Sequence, residues 1–261
     1  MRRLLIVTVA TALAAALGGA SMAQAATGAA TATLTPSKVS AASSAAISIT
    51  GVGTFSTSGL AGLPSSVELL LQPGFASSAK SVSIPCAASQ ASTNTCPSAS
   101  KIGSGSVGLS LFGTPITVPV TLYLGPPLQA GDIASVILIG TFQGANLNIS
   151  GRLFTPAQGG LEVLLSSFPS IPLTLSSLSV SLYAAQTVTT TTTKTVIRTV
   201  FTGKGKHRHK KKVKKKIKKS VKTVYSLITN PPTCSGTWTG SAILTYTSGS
   251  DILPLSAPCT P

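Results

Sequence analysis

The side chains of this 261-residue chain that could transfer protons, ligate metals or attract ions are four carboxylates, two histidines, four cysteines and twenty Lys and Arg residues. General acid–base chemistry needs a His, Asp or Glu held beside a reacting atom in a shielded site. Glu68, Asp132, Glu162 and Asp251 are widely scattered, and each is expected to decorate a strand or a turn. His207 and His209 both fall inside a lysine run. Two apart, they would share one side of a strand and could in principle grip a metal, but the surrounding cations repel a divalent ion. The chain is therefore expected to have no catalytic residue, no metal ligand and no cofactor, and not to be an enzyme.

Several short motifs match catalytic patterns without their context. Gly103-Ser104-Gly105-Ser106-Val107-Gly108 fits G-x-G-x-x-G, yet Leu109 and Leu111 continue it with the alternation of a strand. The phosphate-binding version requires a helix N-terminus at that point. Ser77 with Lys80, and Ser98 with Lys101, fit S-x-x-K, but neither S-D-N nor K-T-G follows, and there is no G-x-S-x-G elbow. Asn148-Ile149-Ser150 is a formal glycosylation sequon.

Residues 1–25 read as a secretory signal, with Arg2 and Arg3 ahead of the apolar run Leu4 to Leu17 and a small-x-small site at Ala23-Gln24-Ala25. The run is short for a bilayer span and breaks at Gly18-Gly19. The expected location is therefore extracellular or at the cell-envelope surface, with no membrane span after signal removal. In an oxidising compartment Cys86, Cys96, Cys234 and Cys259 are expected to form disulfides. Zinc is the alternative, but the spacings lack a C-x2-C knuckle. Of the three pairings, Cys86 with Cys96 and Cys234 with Cys259 is preferred because it joins nearest neighbours in sequence.

Net charge is +16, and 14 of the cations lie between Lys194 and Lys222. Lys38, Lys80, Lys101 and Arg152 balance the four acids, so the rest of the mature chain is formally neutral. The basic segment begins with Thr- and Val-rich residues near 187–202, passes through the Gly-rich stretch Gly203 to Lys212, and continues with Val213, Ile217, Val221 and Tyr225 among lysines. A spacing of four fits a helix face and equally every second inward position of a strand. The β-branched flanks favour a long hairpin-like arm over about 187–228, with a tip at 203–219 disordered by like-charge repulsion.

Lys204, Lys206, Arg208, Lys210, Lys211, Lys212, Lys214, Lys215, Lys216, Lys218, Lys219 and Lys222 are the candidate contacts for an anionic envelope polymer, polysaccharide or lipid headgroup. Nucleic acid would be bound only nonspecifically, since lysines act as point charges and few aromatics are interleaved for stacking. The bland counterpart is an arm that only keeps an exposed edge soluble.

The body must position this arm. Residues 26–46 are Ala, Thr and Ser with little else and are expected to form a loose leader. From Ile47 to the C-terminus a single domain is expected. Val67, Leu69 and Leu71, then Val118 to Leu124, then Trp238 to Tyr246 alternate with polar residues as half-buried strands do. Further strands are expected in 134–142, 147–154, 161–165 and 173–182, the last changing phase at a bulge near Ser176-Ser177. With no amphipathic helix, the fold class is all-β: an antiparallel β-sandwich or a related barrel. Trp238 follows Cys234 too closely for the immunoglobulin arrangement.

The ordered landmarks Leu63-Pro64-Ser65-Ser66-Val67, Gln72-Pro73-Gly74-Phe75, Pro85-Cys86 to Cys96-Pro97, Lys101-Ile102-Gly103, Leu124-Gly125-Pro126-Pro127 and Asn230-Pro231-Pro232-Thr233-Cys234-Ser235-Gly236-Thr237-Trp238 resemble a group of secreted β-rich proteins of actinobacteria without an established activity. The resemblance covers most of residues 55–261. It implies export, a bacterial origin and a basic stretch ahead of the N-P-x-x-C segment, and it transfers no catalytic residue. The expected role is a non-enzymatic, envelope-associated β protein with a polybasic arm; a hydrolase with an unusual site, or a purely structural extracellular domain, are the alternatives.

Overall fold

The computed structural model describes residues 28–50, 63–111, 114–142, 144–168, 174–202, 209–247 and 249–261. The expected signal at 1–25 lies outside the described residues. The strands are β1 (Ala29–Thr35), β2 (Ala42–Thr50), β3 (Ser66–Leu71), β4 (Lys101–Leu111), β5 (Thr114–Gly125), β6 (Asp132–Phe142), β7 (Ala145–Phe154), β8 (Leu161–Leu165), β9 (Thr174–Leu182), β10 (Ala185–Thr202), β11 (His209–Ser226), β12 (Ile228–Thr229), β13 (Thr237–Tyr246) and β14 (Gly249–Pro258). The all-β expectation is met. Twelve strands form one antiparallel sheet in the order β1-β2-β9-β4-β5-β6-β7-β8-β3-β13-β14, with β12 added beside β2. The sheet curls until β14 comes up against β1, nearly closing a barrel. A bridge between Lys38 and Thr260 helps join the two ends.

Alternation fixes which face points inward. Val67, Leu69, Val118, Val120, Leu122, Leu124, Leu244, Leu253 and Leu255 are all buried and meet in one continuous core. Burying a side chain of this kind contributes about 2 kcal/mol. β6 is buried on both faces: Ala134, Val136 and Leu138 enter the core, while Ser135 and Ile137 are covered from outside. The cover is the loop closed by Cys86 and Cys96, whose Ala91 packs with Cys86 and Ile137. Asn148 donates its amide to the Ala91 carbonyl at 2.9 Å, so the sequon asparagine is engaged in holding this loop.

The G-x-G-x-x-G run is a strand, as its continuation implied. Gly103 and Gly105 lie where β4 is pressed against β9, and a Cβ on either would collide with the backbone carbonyl of Ser181 or Ser179. Their absent side chains permit this close approach of the two backbones. The register of β9 shifts between Ser177 and Leu175, which places the expected bulge at Ser176.

The reading of 26–46 as a loose leader is corrected. β1 and the first half of β2 occupy it, paired from Ala29 with Thr50 to Thr35 with Ser44. Small side chains do not preclude a strand when a neighbour supplies the bulk: Leu34, Ala45, Ile47 and Ile49 are buried against β9 and the rest of the core.

Several landmark residues lock together at one end of the barrel. Phe75 meets Trp238 edge to face at 5.6 Å, and the Trp238 indole N–H donates to the Thr233 carbonyl. Gln72 Oε1 accepts from the Thr239 backbone N–H at 2.7 Å. Asn230 donates its amide to the carbonyls of Pro36 and Lys38, and Cys234 is joined to Cys259. Both disulfides follow the preferred connectivity.

Candidate polyanion-binding arm

The arm is a two-stranded antiparallel ribbon, β10 against β11, separate from the main sheet. Each limb has 18 residues and spans about 60 Å at the usual rise of a strand. Its base is held to the body. The Leu227 N–H donates to the Ala184 carbonyl, Leu227 and Ile228 are buried, and Lys80 lies over the Tyr225 ring at 5.2 Å. Beyond the base the limbs are exposed: every residue from Lys212 to Val224 is open to solvent.

The expected disordered tip at 203–219 is corrected over residues 209–219, which are paired strand. A ladder tolerates this charge density because the register keeps cations apart. Lys194 stands opposite Ile217 and Arg198 opposite Val213, while the lysines of β11 stand opposite Thr or apolar residues of β10. A slip of two residues would place Lys194 opposite Lys215 or Lys219, and Arg198 opposite Lys215 or Lys211, at a like-charge cost.

Residues directly opposite one another project to the same face of such a ribbon. On one face Lys212, Lys214, Lys216, Lys218 and Lys222 stand opposite Thr199, Ile197, Thr195, Thr193 and Thr189. On the other, Lys194, Arg198, Lys215 and Lys219 alternate with Val196, Val213, Ile217 and Val221. Lys210 and Lys211 occupy the rungs opposite Phe201 and Val200. Lys204, Lys206 and Arg208, with His207, lie outside the described residues. In the sequence the alternation of Val213, Ile217 and Val221 already separates Lys212, Lys214, Lys216 and Lys218 from the odd-numbered lysines, but the Thr column beside them depends on the register.

Three of the four acids are neighbours through Arg152, which acts on both Asp132 and Glu162, while Glu162 in turn lies near Glu68. Asp132, at the start of β6, accepts from Arg152 Nη2 at 2.7 Å and Nε at 2.9 Å, and Arg152 also lies over the Phe154 ring. The Arg152 guanidinium holds the Asp132 carboxyl below its ordinary value, against the opposing effect of burial. Glu162 sits two strands away and is raised by burial first and by Glu68 second. Asp251 lies on the opposite, inward face, directly across from the fully buried Leu244. Burial raises its pKa, and its Oδ1 has no hydrogen-bond partner among the described residues.

Three hollows are notable. The barrel interior leaves about 50 Å³ among apolar side chains such as Ile102, Leu122, Leu138 and Leu178. A groove of about 280 Å³ at the arm's base is lined by Ser81, Ser83, Lys101, Tyr183 and Gln186. A third, beside the Cys86 loop, includes Asn148 and Ser150. No carboxylate lines any of them. Among the described residues, no group of three or more His, Cys, Asp or Glu side chains is placed to hold a metal, and no helix is long and apolar enough to cross a membrane. In comparisons with known proteins, no family model, no curated protein and no solved structure matches this chain.

Proposed function

We infer that the protein is a non-enzymatic, exported β protein that attaches to an anionic polymer of the cell envelope or its surroundings through the basic arm. The observation that carries this reading is the separation of charge and structure: a formally neutral barrel bears one exposed ribbon in which most of the chain's cations lie and no carboxylate is present. Such a ribbon raises the local concentration of any polyanion and lowers its own self-repulsion on binding. The two disulfides fit an oxidising location. The export signal expected at 1–25 and the resemblance to secreted proteins support the same location.

The test is a pull-down of the mature protein on isolated cell wall, anionic lipid vesicles and duplex DNA over a range of salt. A form with the arm removed is run alongside. If about half of the arm's cations engage phosphate, the log–log salt slope on duplex DNA is about −6. Retention that ignores salt, or that survives removal of the arm, overturns the electrostatic attachment. Equal failure of both forms to bind any of the three surfaces leaves only a solubilising role for the lysines.

A further inference from the structure

The arm's two faces present their cations differently, and the difference points to the shape of the ligand; the argument rests on the arm binding a polyanion at all. We propose that the Lys/Thr face of the ribbon is the binding face, and that its ligand is a linear phosphodiester polymer of small polyol units, poly(glycerol phosphate) in kind, lying lengthwise along β11.

Lys212, Lys214, Lys216 and Lys218 occupy successive alternate positions of one strand, so their stems leave the backbone about 6.8 Å apart in one unbroken column that follows the ribbon's twist. A phosphodiester chain with three carbons in its repeat has six bonds from one phosphorus to the next, about 7 Å when extended at ordinary covalent lengths. One cation thus meets one phosphate for several repeats, with the flexible polymer following the twist of the strand. Beside this column run Thr193, Thr195 and Thr199, opposite Lys218, Lys216 and Lys212. Each such rung offers an ammonium and a hydroxyl to the same phosphate, a charge-assisted bond with a neutral one beside it.

On the reverse face the cations are staggered between the limbs, and each rung from Lys194 to Arg198 pairs one with a β-branched side chain. No unbroken column of cations forms there, since Val213, Ile217 and Val221 separate Lys215 and Lys219 along β11. The Lys/Thr face also contains no aromatic residue over rungs Thr187 to Thr199 and Lys212 to Val224. Along the Lys212–Lys218 column bases would have no ring to stack on, which favours a polymer without bases over single-stranded nucleic acid.

The experiment uses the full mature chain and two charge-matched variants on the same strand: Lys214→Glu with Lys216→Glu, and Lys215→Glu with Lys219→Glu. Binding is titrated at low salt with poly(glycerol phosphate), an oligothymidylate and polyglutamate of equal charge number. The first variant is expected to lose about tenfold or more in affinity for poly(glycerol phosphate), the second less than about threefold. A third variant, Thr193→Val with Thr195→Val and Thr199→Val, keeps every charge and the strand propensity, and is expected to lose about threefold.

Equal losses in the two charge variants overturn the assignment of a face while leaving attachment through the arm intact. No loss in either overturns both readings. Tighter binding of the wild type to oligothymidylate or polyglutamate than to poly(glycerol phosphate) overturns the polymer class, and an unaffected Thr variant removes the hydroxyls from the site. Circular dichroism of all variants verifies that the ribbon persists.

Discussion

Asp251 is the residue whose position costs the fold most visibly. It shares the inward phase of Leu253 and Leu255, is 3% exposed, and leaves Oδ1 without a partner among the described residues. A carboxyl whose folded pKa is raised binds its proton more tightly in the native than in the unfolded state. Its contribution therefore favours folding most below the ordinary carboxylate value, 3.8 here, and is lost as pH rises through the raised folded value. Asp132 acts in the opposite sense: its bond to Arg152 lowers the pKa, so that contribution is present above 3.8 and is lost as pH falls through the lower folded value. Asp251→Asn, which removes the charge at constant shape, is expected to stabilise the protein by about 1 kcal/mol at pH 7 and to change nothing at pH 3. Urea unfolding at the two pH values measures this, and a destabilised variant at pH 7 would mean that the carboxylate has a partner the fold relies on. The inward phase of Asp251 could be read by counting back from Leu253, but the desolvation could not, because it depends on β13 supplying Leu244 across the ladder.

Among the elements, the ribbon's register carries the most consequence. Thr191 and Ser220 stand on one rung with their hydroxyl oxygens 3.2 Å apart. Thr191→Cys with Ser220→Cys is therefore expected to oxidise to an intramolecular disulfide, while Thr191→Cys with Lys218→Cys, one diagonal away, is expected to stay reduced. Mass spectrometry of the alkylated proteins distinguishes them, and ready closure of the diagonal pair would show a slipped register. The hairpin is legible because β-branched limbs flank a Gly-rich stretch, whereas like charge alone implies disorder over residues 209–219 and does not reveal the Thr column that spaces the lysines. β14 was missed for a different reason. Pro254 and two serines interrupt its apolar pattern, and the sequence does not show that β14 ends the hydrogen-bonded order, where a proline is tolerated. β1 and β2 were missed because inward Ala45 and outward Thr look alike to a composition argument. The inner-face alternations of β3, β5 and β13 were plain, since each is covered on one face and wetter on the other.

At the scale of the whole molecule, barrel and arm share one chain but little surface. The barrel's closure runs through the Lys38–Thr260 bridge, the Cys234–Cys259 bond, and Asn230 holding the carbonyls of Pro36 and Lys38, all away from the ribbon beyond its base. Among the described residues nothing covers the ribbon, and a two-stranded hairpin alone is marginally stable in water. Its amides from Thr190 to Val200 are therefore expected to exchange hydrogen by local opening, far faster than those of β5 or β6, and to slow when a polyanion is bound. Replacing residues 192–219 by Asn-Gly would leave Thr191 and Ser220 as the rung closing a two-residue turn and would remove all the arm's cations but Lys222. The shortened protein is expected to unfold in urea with a midpoint unchanged or slightly raised, because the excised limbs bury almost nothing and repel one another. A large fall in the midpoint would show that the arm braces the barrel, and its lysines would then need a structural explanation before a binding one.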